Sequence, residues 1–159
     1  MSPTVPSPQV SDWLAQHGWF PGRDIGDEEV DDFISVRVRD ATEQGFPMEP
    51  VDAAVRVIRT YGGLKLAHPR ASDSAFEMDP TGGYDGDARE IAEMSTGLGE
   101  KLFPVGFESS EFGILLVGET ARWFLLHHTG GYFLGQDEQD AFTRFITNGD
   151  TPDVEDYFV

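Results

Sequence analysis

His127 and His128 are the residues in this chain whose type most invites a chemical reading. An imidazole near neutral pH can act as a general base or a metal ligand. The pair ends an apolar, strand-like segment, however, and adjacent strand residues face opposite sides. From regular β geometry they cannot both ligate one ion, so we expect one packed ring and one solvated ring. His17 closes a short helical pattern, and His68 precedes Pro69 in a loop. No His-Glu-x-x-His pair and no Asp-rich calcium loop occurs. There is no cysteine, which removes thiolate nucleophiles, zinc-thiolate sites and disulfides. Ser11, Ser35, Ser72, Ser74, Ser95, Ser109 and Ser110 all lie outside a Gly-x-Ser-x-Gly elbow. Gly82-Gly83 and Gly130-Gly131 lack the lysine and the strand-to-helix context of a phosphate loop, and read as turns. A Ser-His-Asp triad assembled from distant segments has nothing in its favour. The expectation is a chain with no catalytic residue, no metal, no cofactor and no small-molecule substrate.

Carboxylates carry the stronger signal. The chain has 159 residues and a net charge of −18. Nucleic acid and anionic membrane surfaces both need clustered Lys and Arg, so neither is an expected partner. A basic protein would instead be attracted by the field of this chain. The acidity is uneven. Between Phe33 and Arg70, six basic residues face four acidic ones, leaving −20 for the remainder. Asp27, Glu28, Glu29, Asp31 and Asp32 place five carboxylates within six positions. Part of that run opens a helix, where negative charge suits the macrodipole; the rest forms a patch suited to a partner's Arg and Lys. Tyr84, Asp85 and Asp87 follow a glycine-rich loop and are candidates for the same surface. Tyr132, Tyr157 and Phe158 are either interface anchors or partly buried.

The elements that must position these residues are legible as one α+β domain. Residues 1–10 are expected to be a flexible arm, residues 11–149 the domain, and residues 150–159 an acidic tail. Nothing in Met1–Val10 looks like an export signal, and no apolar run approaches the ~20 residues of a membrane span. The absence of cysteine suits a cytoplasmic protein. Ser11 is the expected cap of a first helix, stopped by Gly18. The Trp19-Phe20-Pro21-Gly22-Arg23 turn is expected to fold its aromatics onto the core. A second helix opens at Asp27 and buries Val30, Phe33, Ile34, Val38 and Ala41. Pro50 is the expected N1 residue of a third, with Val51, Ala54, Val55, Ile58 and Tyr61 as its stripe. Short strands at 64–67 and 75–78, a helix over 87–96, four closely spaced strands between Lys101 and Leu134, and a helix capped by Asp137 complete the pattern. The strands read as an antiparallel meander, and the last helix closes it.

Three phrases punctuate this pattern, each a turn or chain stop around a bulky apolar anchor: Trp19…Pro21-Gly22-Arg23, Tyr61-Gly62-Gly63-Leu64 and Pro104-Val105-Gly106. Their order and spacing resemble the SUKH superfamily of bacterial immunity proteins, its third subfamily in particular, over about Trp13 to Gly149. The resemblance implies an α+β fold without catalysis, built to bind and neutralise a cognate toxin domain, often a nuclease or nucleic-acid deaminase, inside the producing cell. A SUKH-like interaction module without a toxin partner is the rival reading, and a hydrolase using His127 or His128 a distant third.

Overall fold

The computed structural model describes residues 7–159. Over them, five helices and six strands follow in the order α1 (Pro8–Gln16), α2 (Asp27–Glu43), α3 (Asp52–Tyr61), β1 (Lys65–Ala67), β2 (Ala75–Glu77), α4 (Asp87–Leu98), β3 (Leu102–Glu108), β4 (Gly113–Gly118), β5 (Trp123–His127), β6 (Gly130–Gly135) and α5 (Glu138–Thr147). A single 3-10 turn, Val154–Tyr157, follows α5. The fold class is α+β, as expected.

All six strands join one antiparallel sheet in sequence order, β1 through β6. The central strand β4 is buried along its whole length, and alternate residues serve different layers. Leu115, Val117 and Trp123 join one apolar cluster with α1, α2, α3 and α5. Ile114, Leu116, Phe124 and Leu126 join the other, with α4 and Val154. This explains why β4 reads Ile114-Leu115-Leu116-Val117, a continuous apolar run rather than an alternation.

Local chemistry moves several boundaries. Ser7, not Ser11, caps α1 by accepting from the Val10 amide, and Pro8 occupies the first turn. Pro8, Gln9 and Val10 are therefore helical, and Val10 is fully buried; residues 1–6 of the expected arm lie outside the described residues. Pro50 is not at N1, because Val51 caps α3. The β-branched run from Ile34 to Val38 stays inside a helix of 17 residues. The acidic tail docks. Phe133 N donates to Pro152 O at 2.8 Å, Tyr157 stacks on Phe133 at 4.4 Å between ring centroids, and Val154 is 4% exposed.

Candidate protein interface

The first two phrases meet in space, and Arg23 joins them. Its Nη1 donates to Thr60 O at 3.0 Å and its Nη2 to Gly62 O at 2.9 Å, capturing carbonyls that the end of α3 leaves free. Burial lowers the Arg23 pKa, and the nearby Glu29 charge opposes that shift. Trp19 stacks on Tyr61 with ring centroids 6.5 Å apart. Gly62 has no room for a side chain: a Cβ would lie 2.5 Å from Ile58 O. Gly63, at φ +83°, swings the chain into the sheet, where its amide donates to Met78 O and Leu64 O accepts from Met78 N. Burial, reinforced by Glu138, pushes the Tyr61 hydroxyl far above its ordinary range.

The third phrase bends β3. Pro104 pairs with Leu116 and Gly106 with Leu115, so Val105 is the extra residue of a bulge. A Cβ on Gly106 would sit 2.3 Å from Glu77 O, which makes glycine the condition for close passage of β2.

The acidic run forms the outer surface at the start of α2. Asp27, Glu28, Glu29, Asp31 and Asp32 are all exposed. Arg59 reaches Asp24 at 3.2 Å and Asp27 at 2.8 Å, and bonds to these two carboxylates raise its pKa. No hydrogen bond or ion pair engages Glu28, Glu29, Asp31 or Asp32 among the described residues. Helical spacing sets Glu28, Asp32, Val36 and Asp40 in one stripe. Val36, 40% exposed, and Asp40 border a cleft of about 180 Å³ that Tyr84 and Asp85 also line. Tyr84 is half-buried, and its hydroxyl donates to Glu90.

Asp87 departs from the expected patch. It is 0% exposed, pairs with the buried Arg37 at 2.7 Å, and accepts from Gln44 Nε2 at 2.9 Å and Tyr84 N at 3.2 Å. The pair ties the 82–86 loop to α2, and Gly83 admits it, since a Cβ there would lie 2.3 Å from Asp87 Oδ2. Its acidic type hid an interior role, because the partner Arg37 lies 50 residues away. Phe20 departs too: Trp19 folds inward as expected, whereas Phe20 is 58% exposed.

The SUKH-3 immunity protein family model matches residues 6–148, nearly the whole chain. The chain belongs to the SUKH-3 immunity protein family. No curated relative and no solved structure shows significant similarity to it. In this SUKH-3 chain the matched span takes in the three phrases, and the 150–159 strap lies beyond it.

The two histidines do not stand on opposite sides. His127 ends β5 and His128 begins the hairpin turn, so their rings approach to 3.9 Å between centroids. His127 is 8% exposed, while His128 faces solvent. Thr129 Oγ1 lies 2.8 Å from His127 Nδ1, and Tyr132 Oη lies 2.7 Å from the same hydroxyl. His127 Nε2 lies 2.8 Å from Glu111 Oε2, within ion-pair distance but not aligned as a hydrogen bond. The Thr129 amide also reaches His127 Nδ1, at 3.3 Å. The ring is thereby bonded into its own hairpin, the work of a structural histidine. Among the described residues, no three His, Asp or Glu side chains are grouped to hold a metal ion. No helix among them is long and apolar enough to cross a membrane.

Proposed function

We propose that this protein binds a cognate bacterial toxin domain in the cytoplasm and neutralises it by covering a basic surface with the acidic face of α2. Glu28, Asp32 and Val36 form the centre of the contact, Asp27, Glu29 and Asp31 flank it, and Tyr84 and Asp85 extend it past the cleft. The observation that carries the reading, in a chain of this family, is the pair Glu28 and Asp32: carboxylates without internal partners, in helical register with a half-exposed valine one turn on. Surface charge that contributes no ion pair to its own fold is available for a partner.

A nuclease or nucleic-acid deaminase suits this chemistry, because it must present a cationic groove to phosphates. Carboxylates laid over that groove compete with nucleic acid for the same Arg and Lys side chains. Nothing in the reading requires the immunity protein to make or break a bond.

The test mixes the purified protein with the toxin domain encoded by the neighbouring gene. We expect a complex at low salt and rescue of cells on co-expression. Absence of both at low salt defeats the proposal.

A further inference from the structure

We propose that Phe20 is the apolar anchor of the partner-binding surface, entering a recess rimmed by Arg and Lys on the toxin domain; this rests on the toxin-binding reading above. Phe20 is 58% exposed, more than the other large apolar residues among those described apart from Val159. The chain around it is pinned. Trp19 N donates to Leu14 O at 3.0 Å, Arg23 N donates to Phe20 O at 3.1 Å, and the Arg23 guanidinium holds the end of α3. Gly22 takes φ +83°, which closes the turn. The turn therefore projects an aromatic ring from a backbone tied down on both sides.

The fold gains little from placing a phenyl ring there. Burial of an aromatic side chain is among the larger favourable terms available to a chain, and this one forgoes much of it while Trp19 beside it packs inward. A ring on a fixed turn also costs little conformational entropy when a partner orders it.

The surroundings define the occupant by charge. Exposed Pro21 extends the apolar surface, and exposed Asp24 and the α2 carboxylates from Asp27 onward follow within a few residues. The two arginines that brace this turn and the start of α2 are already engaged, Arg23 with carbonyls and Arg59 with Asp24 and Asp27. A neutral apolar partner would bury Glu28, Glu29, Asp31 and Asp32 unpaired, which is costly. A cationic rim pairs with them, and its guanidinium or ammonium groups can also lie over the ring face.

The experiment titrates the neighbouring-gene toxin domain against wild-type protein, Phe20→Ala and Phe20→Tyr, with a thermal melt of each. Phe20→Ala is expected to weaken binding at least about 30-fold, the size of a hot-spot residue, with its melting temperature within about 2 °C of wild type because the ring is exposed. Phe20→Tyr retains affinity within a few-fold. Binding by Phe20→Ala within about twofold of wild type overturns the anchor and leaves the toxin-binding reading standing. So does a melting temperature lowered by Phe20→Ala in proportion to the lost affinity, since that marks a structural residue. If the wild-type protein itself fails to bind, the toxin-binding reading falls and the anchor falls with it.

Discussion

Arg23 sits in a surface turn, yet its guanidinium closes the joint between the first turn and the end of α3 by donating to Thr60 O and Gly62 O. Charge-assisted bonds of this kind contribute about 1.5–3 kcal/mol, so Arg23→Ala is expected to destabilise the protein by about 2–3 kcal/mol in urea unfolding. Arg23→Lys recovers only part of this, since an ammonium lacks the fork that reaches both carbonyls. Asp87→Ala is expected to be worse. It strands Arg37, 2% exposed, with only Asp40 at 3.3 Å as a remaining carboxylate, and breaking a buried pair costs about 3–5 kcal/mol. Glu108 gives a pH signature. Burial pushes its carboxyl up, but bonds from Ser110, Ser74 and the Glu111 and Ser110 amides pull it lower and prevail. Its stabilising contribution is complete above the unfolded value of about 4.3 and is lost as pH falls through the depressed folded value. Glu108→Gln therefore flattens the decline of melting temperature below about pH 4.

At the scale of elements, periodicity and punctuation revealed nearly every helix and strand. The α3 stripe and Gly62-Gly63 are local signals, and so is the Asp137 cap, which accepts from Asp140 N at 2.8 Å. What stayed hidden depends on distant contacts. The tail reads as an acidic segment because four of its residues are Asp or Glu, but Val154 and Tyr157 alternate with them and find apolar partners on β6 and α4. Asp87 and Phe20 escape a local reading for related reasons: the cation of Asp87 arrives from α2, and the turn holds Phe20 outward although its apolar type favours the core. The α2 acidic run was legible outright, since five carboxylates in six positions have no room to hide. The strap is expected to act as a fold element. Val154→Ala removes two buried methyl groups at about 0.8 kcal/mol each, and deletion from Pro152 onward additionally frees the Phe133 amide. Hydrogen exchange should show that amide losing protection in the deletion variant while those of β3 and β4 keep theirs.

At the scale of the whole molecule, the net charge of −18 raises the question of which acidic face meets the partner. Two faces qualify, and the sheet separates their supporting layers. The α2 stripe belongs to the layer packed on Leu115, Val117 and Trp123, while Asp153, Glu155 and Asp156 ride on the strap packed against Phe133 and α4. A long-range field speeds encounter from any side, but docking rewards only the charges that reach the interface. Neutralising Glu28, Glu29, Asp31 and Asp32 together removes four charges from one face, and a control replacing Asp153, Glu155 and Asp156 removes three from the other. With a cationic toxin domain, association of the wild-type protein should slow by about 10–100-fold between 20 mM and 500 mM salt. The α2 variant should lose most of that slope and dissociate faster, whereas the strap variant should show a modest drop in association rate alone. Stopped-flow binding at several salt concentrations reads both quantities at once. If the strap variant instead dissociates faster while the α2 variant does not, the partner docks on the opposite side of the sheet.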